Sequence, residues 1–532
     1  MFLKIVKRNC GDYLNLAENY RVNGKVVQKH IASLGKVDKK RKAEISRLVC
    51  KLNKIFELDE INDLSDLKEE SRKNYGVNLV INELFKMYEM EGFIKSILKN
   101  KKIRYDFLET IKLMVMNRFV DPKSKLNLFE NKNYYTNHEI DLNNLYRSLD
   151  ILEENKDELE KHLFNMRKSL FNHKVDVVFY DVTTLAFESQ TINKLLNLGY
   201  SKDKKFNESQ IVLGMSIDKE GLPVSFNIFE GNKYEGHTLE KAIEDMKTKY
   251  SIDKVVIVAD RGMLSENNLK LIEESGYEYI VGRSIKKITQ DTKEEMFEES
   301  GYEKIVNENG EIKYKAKETI YKGNKLIIAY SEKRAKKDKK DRERLIEKAK
   351  KMIKNNSLKA TTKRGAGKYL KSEVEVKELD LEKIKEDEIY DGYYGLITNT
   401  TNLSPKEIIE QYHELWKVEE SFRTIKSFLE TRPMYHSSEE RISGHMVMCY
   451  LSHVMLKTLE LKLKQKNINY SHEKIRDALK SLEYSEIKYG DEKFALRAKT
   501  EDMAKKILDV LEIKEPSSFM PLKTFNKKIE KA

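Results

Sequence analysis

The stretch SPKEIIEQYHELWKVEESFRTIKSFLE, Ser404–Glu430, is a helix by its own chemistry. Ser404 can cap it, Pro405 suits the first helical position, and Glu407 closes a capping box. Ile408, Tyr412, Leu415, Glu419, Phe422, Lys426 and Leu429 then recur at spacings of three and four, which makes them one stripe. A carboxylate inside a largely apolar stripe is costly unless a Lys, an Arg or a metal ion pairs with it. Taken alone, Glu419 reads first as a partly exposed structural residue. Its neighbour Glu420 lies about 100° round the helix, off the stripe.

Two aspartates elsewhere change that weighing. VDVVFYDVTTLAFE (175–188) is a continuous apolar run ending at Asp181, the pattern of a central strand covered on both faces. KVVIVADRGM (254–263) is a second such run, ending at Asp260. Between them SQIVLGMSIDKEGLPVSFNIFEGN (209–232) reads as two strands joined by the turn Asp218-Lys219-Glu220-Gly221, and HTLEKAIEDMKTKY as a helix. NNLKLIEESG, a helix, and YEYIVGR, a strand, follow. Three strands, helix, strand, helix, strand imply a mixed α/β sheet with helices packed against it. Carboxylates at strand ends gather at one edge of such a sheet. Three carboxylates without an obvious cation repel one another, and divalent ions relieve that repulsion. All-oxygen donors suit Mg²⁺ or Mn²⁺. Two such ions can serve both the attacking and the leaving oxygen of an in-line phosphoryl displacement.

Composition is compatible with a polyanionic partner. The chain has 532 residues, 100 Lys and Arg against 88 Asp and Glu, and a net charge of +12. Cys10, Cys50 and Cys449 are far apart and form no CxxC pair, which suits a reducing, cytoplasmic setting better than a disulfide framework or a structural zinc site. MFLKIVKRNCGDY lacks the apolar core of a signal peptide, and no run of 18 apolar residues marks a membrane span. GxSxG and a strand-linked GxGxxG are absent, and RGAGK lacks the first glycine and final Ser/Thr of a phosphate loop, so no nucleotide cofactor is expected.

The remaining organisation follows from texture. Residues 1–40 read as an N-terminal β-hairpin turning at Asn23-Gly24, carrying Arg21, Lys25, Lys29 and His30 as either an exposed basic face or a DNA contact. Residues 41–172 are helical by period, from ISRLVCKLNKIF through YDFLETIKLMVMNRFV (broken by Pro122), and suit DNA binding, dimerisation or both. Residues 173–284 carry the first part of the α/β core. Residues 285–400 shift to short strands, a very charged segment (EKRAKKDKKDRERLIEKAKKMIKNN) and IYDGYYGLITNT, read as an inserted β-rich domain with a basic helical arm. The core resumes at 401–465 with the acidic helix, and 466–532 reads as a helical C-terminal region.

The ordered set of motifs resembles DDE transposases of bacterial insertion sequences, in the branch whose acidic helix carries Tyr, Arg, Glu and Lys at fixed spacing. Tyr412, Leu415, Glu419 and Lys426 stand at that spacing, with Leu415 in place of the Arg and Lys417 and Arg423 nearby. FYDVTT, GYSKDKKFNESQIVLGMSIDKEGLPVSF, the GN of FEGN, ADRGM, RPMYH and RISGH carry the rest of the likeness, with an echo in YRVNGKVVQKHIASLG. The resemblance implies an RNase H-like, retroviral-integrase-like core interrupted between its last strand and the acidic helix. It implies Asp181, Asp260 and Glu419 as catalytic metal ligands for Mg²⁺ or Mn²⁺, with two ions expected. Tyr412 and Lys426, and more weakly Arg261 and Arg423, would contact DNA phosphates. Core packing for Tyr412 and an ion pair with Glu419 for Lys426 are the open alternatives. Trp416, the only tryptophan, is expected to pack between helix and insertion, so a flipped base would need Tyr or Phe. His237, His436 and His445 enter only through the resemblance. The implied activity is cleavage at the ends of an insertion sequence and joining of the 3′-OH ends to target DNA by a homodimer acting on double-stranded DNA near the nucleoid. A metal nuclease without strand transfer and a non-catalytic DNA-binding descendant remain as alternatives.

Overall fold

The computed structural model describes residues 2–8, 11–22, 25–37, 44, 47, 51, 67–172, 174–187, 192–199, 207–263, 265–307, 309–354, 365–371, 378–431, 434, 436–489 and 491–531. The Asn23-Gly24 turn, most of the helix expected over 45–56, Cys10 and Cys50 lie outside the described residues. The chain divides into two compact units, residues 1–71 with 486–494, and the remainder.

In the first unit β1 (Phe2–Arg8), β2 (Gly11–Val22) and β3 (Lys25–Lys36) form an antiparallel sheet in the order β1-β2-β3. Val22 pairs with Lys25, so two residues connect β2 to β3, as the hairpin reading requires. Arg21, Lys25, Lys29 and His30 are all exposed. A short strand, β4 (Lys68–Asn74), precedes the helices of 76–171 and interrupts a region that reads as wholly helical in sequence.

The second unit is built on one nine-stranded sheet. β5 (Val177–Ala186), β6 (Gln210–Asp218) and β7 (Pro223–Glu230) run antiparallel in succession. β8 (Val256–Ala259) and β9 (Glu278–Arg283) lie on the other side of β5 and run parallel to it. The core order is therefore β7-β6-β5-β8-β9, the mixed sheet that the alternation of strands and helices implies. Helices Leu239–Thr248 and Glu266–Glu274 supply the crossovers into β8 and β9. Side chains alternate between the two faces of β5: Val177, Phe179 and Leu185 join one apolar cluster, Val178, Tyr180 and Val182 the other.

The strands of 285–400 extend this same sheet. β10 (Glu303–Val306), β11 (Ile312–Tyr321), β12 (Asn324–Tyr330) and β13 (Tyr393–Thr398) add antiparallel in the order β10-β11-β12-β13, and β13 pairs with β9. The charged segment is a 23-residue helix, Glu332–Lys354, anchored by Arg342, which pairs with Glu388 and Asp391. The C-terminal region combines helices with strands Glu483–Tyr489 and Glu492–Arg497. Helix Glu439–Gln465 runs through the core and packs on helix Leu142–Glu154. Gly444 permits that approach, because a Cβ there would meet the Leu149 carbonyl oxygen at 2.0 Å. Among the described residues, no helix is long and apolar enough to cross a membrane.

Candidate active site

Asp181 and Asp260 end up side by side because of strand register. Tyr180 of β5 pairs with Ala259 of β8 in parallel, so the next residue on each strand is an aspartate. Asp181 follows Val177 and Phe179 in period two, and Asp260 follows Val256 and Val258, so both share the face lined by Phe179, Val258 and Ile280. Asp181 is half-buried, and its Oδ1 accepts a 2.7 Å hydrogen bond from Val182 N–H. Asp260 is exposed and starts a turn in which Met263 N–H donates to its carbonyl at 3.0 Å.

The acidic stretch covers the same face. Ser404 caps as its sequence requires: Glu407 N–H donates to Ser404 Oγ at 3.3 Å, and Ser404 N–H donates to Glu407 Oε2 at 2.9 Å. The expected single helix is in fact broken. Helix Pro405–His413 ends, helix Trp416–Arg423 begins, and Thr424–Phe428 widens into a π-helical turn. The break comes from a switch to i→i+3 bonding, in which Glu414, Leu415, Lys417 and Val418 each donate to the carbonyl three residues back. Ile408, Leu415, Phe422 and Leu429 of the stripe are buried. Helix Trp416–Arg423 packs on β5 and β6.

Within that stripe Glu419 is exposed, and among the described residues it has no hydrogen bond or ion pair. Glu420 differs: its Oε2 is 3.8 Å from Lys457 Nζ, itself 2.9 Å from Glu460. Tyr412 lies over β9, and its hydroxyl donates to Asp260 Oδ1 at 3.5 Å. Burial and the Asp260 charge push that hydroxyl up to about 12. A Cβ on Gly282 would stand 2.5 Å from the Tyr412 Oη, so a larger residue there would have to push the tyrosine ring aside. This contact was invisible in sequence, since 130 positions separate the two residues and glycine is common at strand ends.

Other expected residues disperse. Arg261 and Arg423 are exposed and Lys426 is half-buried in the π turn. The ion pair considered for Lys426 with Glu419 is not formed. Trp416 is 55 % exposed, so it does not pack between helix and insertion; it starts the helix after the break, on the outer side. Cys449 is buried, and His445 Nε2 lies 3.5 Å from its Sγ.

A crevice of about 290 Å³ is lined by Arg261, the residue after Asp260, by Arg283, Lys286, Arg334, Arg342 and Lys368, and by the carboxylates of Asp338, Asp341, Asp387 and Asp391. Sequence reasoning missed this convergence, because its members come from five separate segments. Asp387 crosses it: burial raises its carboxyl, but hydrogen bonds from Lys286 and Lys368 prevail and hold it down to about 2.

The donor chemistry fits a hard divalent ion: Asp260 just past the end of β8, Asp181 beside it but inside β5, which runs on to Ala186 instead of ending at the aspartate as its sequence suggests, and one unpaired glutamate on the helix packed against β5. Among the described residues, however, no three His, Cys, Asp or Glu side chains converge closely enough to hold an ion as they stand.

No curated protein matches the chain at a significant level. Among solved structures it is similar to a cryo-EM structure of the piggyBac transposase synaptic complex with hairpin DNA, at 10 % identity over 86 % of this chain and 84 % of that one, with a TM-score of 0.37. It is also similar to the crystal structure of the Mos1 mariner paired end complex with Mn, at 13 % identity over 34 % of this chain and 60 % of that one, with a TM-score of 0.14. Likenesses that weak carry no argument about fold or function. Family models do. That of the IS1634 family transposase N-terminal domain matches residues 3–60. That of the transposase DDE domain matches residues 173–455, just over half of the chain and the whole span from Asp181 to Glu419. The chain therefore belongs to the DDE transposases of bacterial insertion sequences, enzymes that cut and transfer DNA.

Proposed function

We propose that Asp181, Asp260 and Glu419 are the metal-holding carboxylates of this transposase, and that the chain cleaves the ends of its own insertion sequence and joins the 3′-OH ends to target DNA. The observation that carries this reading is the register: Asp181, inside β5, and Asp260, just past the end of β8, each follow the paired residues Tyr180 and Ala259 on the face covered by the acidic helix. Glu419 is the third member because it is unpaired, whereas Glu420 is held by Lys457.

Mg²⁺ or Mn²⁺, two ions in all, would supply charge stabilisation and activation of the attacking oxygen. The chain's own residues do the rest. Val182 N–H donates to Asp181 Oδ1 and, at 3.5 Å, the Tyr412 hydroxyl to Asp260 Oδ1, so each aspartate has one neighbouring donor that orients it. Arg261 and, further along the helix, Arg423 and Lys426 draw the DNA phosphates toward the carboxylates. In the first step a water oxygen bonds to phosphorus and the 3′ oxygen leaves as a hydroxyl. In the second that 3′-OH bonds to a target phosphorus and displaces a target 3′ oxygen, so no high-energy cofactor is consumed. The exposed basic hairpin of β2 and β3 suits recognition of the terminal repeats, and two ends call for two copies of the chain.

The test uses the full chain and DNA carrying the gene's flanking ends, with Mg²⁺ or Mn²⁺. End-specific 3′-OH release followed by joined products is the expected result. Cutting without paired ends or joining would mean a simple nuclease. Binding without any metal-dependent product would mean a non-catalytic descendant.

A further inference from the structure

A cavity of about 780 Å³ lies among residues 118–127, Glu430 and the start of helix Glu439–Gln465. Arg118, Lys125, His436, Arg441 and His445 line it, and Glu430 is the one carboxylate among its lining residues. Lys125 is 4 % exposed, and among the described residues its ammonium has neither a hydrogen bond nor an ion pair. A buried ammonium with no partner is costly unless an anion joins it. Arg118, also 4 % exposed, spends its terminal nitrogens on the carbonyls of Leu429, Glu430 and Lys123, and its Nε has no partner.

The rest of the wall matches an anion too. Ser437 and Ser438 line the cavity at the N-terminus of the 27-residue helix, where backbone N–H groups and the helix dipole favour negative charge. At the mouth Arg441 is shared with Asp150 at 3.4 Å, and the His436 ring lies 5.4 Å from that of His445 and 5.9 Å from that of Tyr146. Burial and the charges of Lys125, Arg441 and Arg118 hold His436 down to about 4, and burial and Arg118 hold Lys125 down to about 7. Among its described lining residues, Arg118, Lys125 and Arg441 thus face a single carboxylate, Glu430.

We propose that this cavity is a phosphate-binding site, with Lys125 as its buried cation and Arg441 at its mouth. Two buried cations, serine hydroxyls and a helix N-terminus line one cavity, a donor set that suits an oxyanion. The phosphate is either free or part of a DNA backbone, and only the second source rests on the transposase reading.

The test is thermal unfolding of the full chain in inorganic phosphate, in a short duplex carrying the element's flanking end, and in chloride at matched ionic strength. Wild type is expected to gain stability in phosphate over chloride, and Lys125→Met to lose that gain while folding normally. A gain from duplex that phosphate competes away, and that Lys125→Met also lacks, identifies the backbone as the source. A second measurement needs no variant. Acetic anhydride at neutral pH should acylate Lys125, read by peptide mass spectrometry, and phosphate should slow that acylation relative to chloride. Equal melting in phosphate, duplex and chloride, with no protection of Lys125, overturns the site. DNA cleavage is scored in neither measurement, so the site can fail while the transposase reading stands.

Discussion

Gly282→Ala should weaken catalysis through Tyr412. The added Cβ would stand 2.5 Å from the Tyr412 Oη and 3.3 Å from its Cζ. Restoring ordinary carbon–oxygen contact requires a displacement of about 0.9 Å. That shift takes the hydroxyl off Asp260 Oδ1, which it meets at 3.5 Å, already the long limit of a hydrogen bond. Because Tyr412 is only half-buried, the ring can yield, and the stability cost should be about 1 kcal/mol. The catalytic cost should be larger, on the order of 10-fold, because a group that orients a metal ligand is being moved. Removing the hydroxyl relieves the clash: in a Tyr412→Phe background Gly282→Ala should cost under about 0.5 kcal/mol and have little further effect on cleavage. The assays are urea unfolding and metal-dependent cleavage of end DNA for the wild type, both single variants and the double variant. Equal effects of Gly282→Ala with and without the Tyr412 hydroxyl would refute the coupling.

Three further outcomes follow from other contacts. Glu420→Gln should lower stability by no more than about 0.5 kcal/mol in urea unfolding, since its pair with Lys457 is partly exposed, and should leave cleavage intact. Gly444→Ala should destabilise by about 2–4 kcal/mol in the same assay, because its Cβ would meet a backbone carbonyl that cannot step aside. In phosphate-free buffer, stability should rise with pH between about 7 and 10.5. Lys125 has a folded value of about 7 against 10.5 for the free side chain, so the unfolded chain binds more protons in that window. Arg118, His436, His445 and Cys449 surround it, and Lys125→Met should flatten the rise in a pH series of unfolding curves.

How much of this was legible in the sequence depends on the kind of contact. The strand end at Asp260 was legible because an apolar run announces its own end, and the capping box at Ser404 because it is local; at Asp181 the same rule misled, since β5 continues through Thr183 and Thr184 to Ala186. A mixed sheet followed from the alternation of strands and helices, but the parallel pairing of β5 with β8 did not, because β6 and β7 also lie between them in the chain. The strands of 285–400 were legible as strands, but their alternation reads the same on a separate sheet as on an extension of the central one, and only the pairing of β13 with β9 decides between the two. The break at Glu414-Leu415 was hidden because both residues favour helix, and tertiary packing of the stripe overrode that preference. Trp416 was misplaced for the same reason: after the break, a residue expected inside turns out to be 55 % exposed. The Lys125 cavity and the charged crevice at Arg261 draw on segments far apart in the chain, and no spacing rule reaches across them.

The most direct measurement compares wild type, Glu419→Gln and Glu420→Gln in Mn²⁺-dependent cleavage of DNA carrying the element's flanking ends, with urea unfolding as the control for folding. Loss of cleavage in Glu419→Gln alone, at unchanged stability, is the result predicted from an exposed and unpaired Glu419 above the two aspartates. Full cleavage by Glu419→Gln, or loss confined to Glu420→Gln, would contradict the assignment of the third carboxylate.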